Sequence, residues 1–180
     1  MGARRWSSGA PAVFFAMELS LLSLLAATLF VGLATGLVFT FAVVVMPGLR
    51  SLPDGDFLRA FQVMDRIIQD NDPRFLLVWV GSVLSLVAAA FVQAPILDGV
   101  PRALLFAALA LYLLGVQLPT FLVNVPLNNR LQALDLATLD GEALAAARAK
   151  FEARWVFWNA FRTGCGLLTT ALLLAVLVLR

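Results

Sequence analysis

Asn124-Val125-Pro126-Leu127-Asn128-Asn129-Arg130 closes a long apolar run with three carboxamides, a proline and a guanidinium. Polar groups gathered this tightly mark where a helix leaves a membrane, because unpaired polar groups are costly in hydrocarbon. Upstream, Gln117, Thr120 and Asn124 follow at intervals of three and four, so a helix places them on one face with the motif. Downstream, Trp155, Trp158, Asn159 and Arg162 repeat the same chemistry at the mouth of the last apolar run, with Trp155, Asn159 and Arg162 on one helical face. Two helix ends thus offer amides, indoles and a cation, and they are expected to meet in one pocket.

Around these ends the chain is overwhelmingly apolar: of 180 residues, 62% are hydrophobic and 13% charged, and the mean hydropathy is +0.94. That composition excludes an ordinary soluble domain. Four apolar segments, near residues 19–46, 75–92, 103–123 and 155–179, are each long enough to cross a hydrocarbon core of about 30 Å as a helix. The reading is all-α, a four-transmembrane-helix bundle with amphipathic helical segments in its two long loops. Residues 1–18 read as an N-terminal tail and 19–180 as a single membrane domain. Arg4 and Arg5 precede small and apolar residues as in a signal peptide, but the apolar stretch outruns an h-region and no clear cleavage site follows, so the tail is read as retained.

The net charge of +2 comes from scattered arginines rather than a basic face, so no nucleic-acid partner is expected. The chain has no histidine and no run of acids and cysteines at ligand spacing, so haem, zinc and facial-triad iron lack their usual donors. No metal or cofactor site is therefore assigned, and redox chemistry here would be metal-free or use an organic cofactor. Lone Cys165 lies in the last span and has no partner for an internal disulfide.

In the first span Thr28, Gly32, Thr35 and Gly36 form a small-residue stripe that lets another helix come close. Packing within the bundle is the favoured reading, and homo-oligomerisation through Gly32 and Gly36 the alternative. Met46-Pro47-Gly48 is expected to stop this helix. Next, Asp56 can cap a helix whose Phe57, Phe61, Met64 and Ile68 make an apolar stripe. That helix either lies on the bilayer surface or lids the bundle. Asn71-Asp72-Pro73 turns the chain into the second span, where Trp79 reads as a packing or interfacial aromatic. Pro119 is expected to kink the third span, Asn128 and Asn129 to cap or turn the chain around Pro126, and Asp140 to cap a helix running straight into the fourth span.

Both long loops are expected over one end of the bundle. Eight basic residues in those loops, against four at the other end, place the loops on the cytoplasmic side of a multi-pass protein in what reads as a bacterial cytoplasmic membrane. Arg162 falls about two turns inside the fourth span, so it must face the bundle or snorkel. There Trp158, four residues earlier, is expected to stack on it and Asn159 to share its cavity. Apolar walls with a few aimed amides and a cation suit the carbonyl or phenolate oxygen of a flat apolar aromatic molecule.

The ordered set of segments resembles a known family. The GxxxG of the first span, Val45-Met46-Pro47, Phe61-Gln62-Val63-Met64-Asp65-Arg66, Asn71-Asp72-Pro73-Arg74-Phe75, Asn124-Val125-Pro126-Leu127-Asn128-Asn129, Trp155, Trp158-Asn159 and Arg162-Thr163 together resemble the anthrone oxygenase-like integral membrane family. The resemblance implies a small four-helix membrane protein and, from its fungal members, oxidation of an anthrone to an anthraquinone without metal or flavin. The convergence of amides, indoles and a cation makes Asn124, Asn128, Asn129, Trp155, Trp158, Asn159 and Arg162 the candidate substrate-binding residues, and the resemblance implies that Arg162 and the amides of Asn124, Asn128 or Asn159 hold an enolate oxygen. The resemblance names no cofactor. It identifies no base; Asp65 is the nearest carboxylate, on an amphipathic helix where a solvated side chain is expected. Two functions follow as expectations: a cofactor-independent oxygenase acting on a membrane-soluble aromatic, or a non-catalytic membrane protein binding a lipid or a partner helix.

Overall fold

The computed structural model describes residues 10–180, with side chains from residue 17 onward. The tail expected over residues 1–18 lies outside the described residues as far as residue 9, and from Ala10 the chain is helical. Among the described residues the only regular structure is helical, and four helical rods are long and apolar enough to cross a membrane. Large apolar side chains such as Leu22, Leu84, Phe91 and Val178 point outward, as they do where lipid rather than water is the neighbour.

The first rod is α1 (Ala10–Thr40), a π-helical turn (Phe41–Val45) and α2 (Met46–Arg50) without interruption. Pro47 and Gly48 do not stop it. Pro47 sits in the first turn of α2, where a missing N–H needs no partner, and the preceding π-turn has already reset the register, with the Met46 N–H bonded to the Phe41 carbonyl. α3 (Asp54–Gln69) follows, then α4 (Pro73–Gln93). Asp56 is inside the first turn of α3 rather than its cap, which falls on Pro53. Asp72 caps α4, accepting hydrogen bonds from the N–H groups of Arg74 and Phe75 at 2.9 and 3.3 Å.

The third rod, Gly99–Gln132, contains α5 (Gly99–Leu111), two π-turns (Tyr112–Gln117 and Thr120–Asn124) and α6 (Val125–Gln132). Pro119 sits between the π-turns, so the distortion expected of it takes the form of wide turns that rearrange the hydrogen-bond ladder. Pro126 occupies the first turn of α6. Consequently Asn124 to Arg130 lie within a continuous helix, and Asn128 and Asn129 neither cap nor turn it. A short 3-10 turn (Leu136–Thr138) leads to α7 (Gly141–Leu179), which Asp140 caps as expected, its carboxylate accepting from the Ala143 N–H at 2.9 Å.

α1 packs along α4 and α7, and α7 packs along α5, giving an up-down bundle with both long connections at one end. Within lipid the helices gain little from the hydrophobic effect, so close packing and interhelical hydrogen bonds hold them. The closest approach uses Gly166 of α7: a Cβ there would lie 2.6 Å from the Thr35 hydroxyl. Gly115 similarly admits Cys165. Around Gly32 and Gly36 the space is looser, with Thr170 4.0 Å from a Cβ on the first and nothing within 4 Å of the second. At the far end, buried Gln93 donates to the Ser20 carbonyl at 2.6 Å, tying α4 to α1.

A second apolar cluster fills the end carrying the long connections. Phe57 and Phe61 of α3 pack on Phe151 and Trp155 of α7, with Leu127 and Leu131 of α6 beside them. α3 is therefore a lid on the bundle. Arg148 fastens it, donating to the Leu52 carbonyl at 2.9 Å and pairing with Asp54 at 3.0 Å and Glu152 at 2.8 Å.

Candidate functional site

Beneath α3 lies a cavity of about 360 Å³ enclosed by α1, α3, α4, the third rod and α7. Its floor comes from α7, where Trp155, Asn159 and Arg162 share one face, and from the third rod, where Thr120, Asn124 and Asn128 do. Two stretches far apart in sequence thus converge as their polar spacing implied. The remaining walls are mostly apolar, with Phe41, Phe75 and Trp79 among them, and Asp65, Gln69 and Asn71 are their polar members.

Arg162 is 5% exposed and forms no ion pair among the described residues. Instead it donates through Nη1 to the Thr120 hydroxyl and through Nη2 to Asn159 Oδ1, both at 2.8 Å. Asn159 is locked in turn, donating to the Val38 carbonyl at 3.0 Å. The Nε of Arg162 and the Oδ1 of Asn124 are buried and find no partner among the described residues. A buried cation with only neutral acceptors retains strong attraction for an anion, and its planar donor fork suits an oxygen of that charge.

A second chain of contacts runs from the same floor to α3. Trp155 Nε1 donates to Asn128 Oδ1 at 2.8 Å, and Asn128 Nδ2 donates to Asp65 Oδ1 at 2.7 Å. The other Asp65 oxygen accepts from Gln132 at 3.0 Å and Gln69 at 3.2 Å. Asp65 is 3% exposed and lines the cavity, which corrects the expectation of a solvated side chain. Its face on α3 is the apolar one: it follows Phe61 by four residues and precedes Ile68 by three. That spacing was the available signal.

Five of the seven candidate residues line the cavity, namely Asn124, Asn128, Trp155, Asn159 and Arg162. Asn129 points to the exposed side of α6, accepting from Gln69 at 2.9 Å. Trp158 packs edge-on against Phe157 and Phe161, with ring centres 5.6 and 5.5 Å away. The ring under Arg162 is Trp155, at 6.0 Å, so the expected Trp158 stack is replaced by a neighbour seven residues away, on nearly the same helical azimuth. Thr120 and Trp79 join the site as well. At its water-facing rim stands Asn71, whose φ of 59° makes the tight turn before α4. Beside it the Arg74 side chain holds the Asp72 carboxyl down to about 2. Among the described residues no group of three His, Cys, Asp or Glu side chains gathers at metal-ligand spacing.

Fold and site together define a multi-pass helical membrane protein with a mostly apolar cavity that holds a buried cation and a buried carboxylate. The family described as anthrone oxygenase matches residues 74–172, more than half of the chain. The chain belongs to that family. The matched stretch contains every cavity residue of the third rod and α7, whereas Asp65 lies outside it. No curated protein and no solved structure matches the chain.

Proposed function

We propose that this protein is an oxygenase needing no resident cofactor, acting on a membrane-soluble aromatic ketone of the anthrone type. The observation that carries this reading is Arg162, a buried cation paired only with neutral acceptors in an apolar cavity. Such a group favours a ligand oxygen that becomes negative as the reaction proceeds. Asn124 adds polar capacity beside it, and the aromatic walls suit a flat ring system.

In the reaction, a ring methylene conjugated with a carbonyl loses a proton, and its electron pair moves into the ring system so that the carbonyl oxygen becomes an enolate. Arg162 holds that oxygen, while Asp65 is positioned to take the proton. The enolate reduces dioxygen, a carbon–oxygen bond forms at the former methylene, and loss of water leaves a second carbonyl. One oxygen atom enters the product and the other leaves as water. The substrate supplies all four electrons, so dioxygen is the sole co-reactant. The apolar walls keep bulk water from the enolate.

The test is oxygen uptake by the purified protein in lipid nanodiscs with an anthrone as substrate. Uptake should match quinone formed mole for mole, and Arg162→Gln and Asn124→Ala should lose it while keeping their helical content and unfolding cooperatively. An aromatic retained by the wild type without oxygen uptake would replace catalysis with binding, and equal uptake in all three proteins would remove the site.

A further inference from the structure

A second cavity, of about 430 Å³, lies outside the bundle between α6, the connection that follows it and the first turns of α7. Its walls are apolar, with Leu127 and Leu131 on one side and Ala147 on the other, yet Arg130 and Lys150 also line it and no acidic residue does. This is unlike two other basic positions nearby. Arg50 pairs with Glu152, and Arg148 with Glu152 and Asp54, whereas Arg130 and Lys150 form no ion pair among the described residues. Arg154 follows Lys150 by one helical turn toward the span, is exposed, and is likewise unpaired.

We infer that this groove holds an anionic phospholipid of the surrounding bilayer. The cations take the phosphate, and the leucine walls take the glycerol and the first methylenes. The site stands where a headgroup would be, because α7 passes directly from these charged turns into its apolar span. Each Lys or Arg near a membrane surface attracts an anionic lipid appreciably, and here two are held on facing helices above an apolar floor. A neutral headgroup has no comparable partner, and a soluble anion leaves exposed Leu134 of the lining facing water.

The probes are phosphatidylglycerol and phosphatidylcholine, added to the delipidated full chain in detergent and counted by native mass spectrometry. Phosphatidylglycerol should bind in preference, and the double variant Arg130→Gln/Lys150→Gln should bind it about thirtyfold more weakly. Arg66→Gln, an exposed cation outside the groove, should leave that affinity unchanged and serves as the control for folding and for general charge. Equal binding of the two lipids, or retention of phosphatidylglycerol by the double variant, overturns the inference. So does full displacement by soluble glycerol phosphate, which would make the occupant a free phosphate ester, or dimerisation that closes the groove in the absence of lipid.

Discussion

Replacing Asp65 with asparagine separates its two roles. Its carboxylate accepts from three amides, but their dependence on it is unequal. Gln132 keeps a bond to the Gln62 carbonyl at 2.9 Å, and exposed Gln69 keeps one to Asn129 at 2.9 Å. Asn128 Nδ2 alone has no other acceptor, and the remaining oxygen of the new amide can still serve it. What is lost is a charge-assisted acceptor facing Gln132 and Gln69, a cost of about 2 kcal/mol rather than three full bonds. In a chain of this length that corresponds to roughly 4 to 8 °C in Tm. Turnover behaves differently, since removal of a positioned base costs about 10²- to 10⁴-fold in kcat. Thermal unfolding in nanodiscs and steady-state oxygen uptake with an anthrone measure the two effects, and KM should move little. Turnover within a factor of about three of wild type, which is under 1 kcal/mol of barrier, would refute Asp65 as proton acceptor. Asp65→Leu leaves Asn128 Nδ2 without an acceptor, although Asn128 Oδ1 keeps its bond from Trp155, and should unfold earlier than the asparagine variant.

Two other perturbations test the frame. Gly166→Ala drives a Cβ to 2.6 Å from the Thr35 hydroxyl and should cost about 1 to 3 kcal/mol; adding Thr35→Ala should recover part of that loss, and a neutral Gly166→Ala would show that α1 and α7 are not in close contact. The Asp72 carboxyl is lowered from 3.8 to about 2, chiefly by the Arg74 side chain, so its contribution to stability is complete above pH 3.8 and fades as pH falls toward 2. The stability difference between wild type and Asp72→Ala should therefore shrink across that window in an acid unfolding series. A constant difference would contradict the assignment.

Much of this architecture is legible from residue pattern alone. Four apolar runs give four spans because hydrocarbon leaves the backbone no other way to satisfy itself, and polar residues at helical spacing bring Asn124, Asn128, Trp155, Asn159 and Arg162 to one place. The errors have separate causes. Pro47 reads as a helix stop and Pro126 as the centre of a cap or turn because local rules assume an unbroken α ladder, whereas a π-turn ahead of each lets the proline begin a new turn. Asp65 reads as solvated because a carboxylate usually prefers water; its three amide partners come from α3 itself and from α6, and the two on α6 are more than sixty positions away. Trp158 and Trp155 flank the azimuth of Arg162 on α7, and only packing by Phe157 and Phe161 decides which indole the cation meets.

The π-turns also govern which changes of chain length this fold can survive. Each holds one more residue than an α turn would, and successive α-helical residues are set about 100° apart. Loss of a single residue within Thr120–Asn124 removes that extra residue and relaxes the turn to ordinary helix with the azimuth beyond it kept, whereas loss of one from the α-helical turn just before Asn128 swings everything beyond it around the axis by about that angle. Asn128 would leave Asp65 and Trp155 together, without any change in its own identity. Among descendants of this chain, the cavity therefore ties substitution to length: an indel in the α-helical turn before Asn128 resets the site, whereas a loss absorbed by a π-turn, or an indel in the connection between α6 and α7, does not turn Asn128 away.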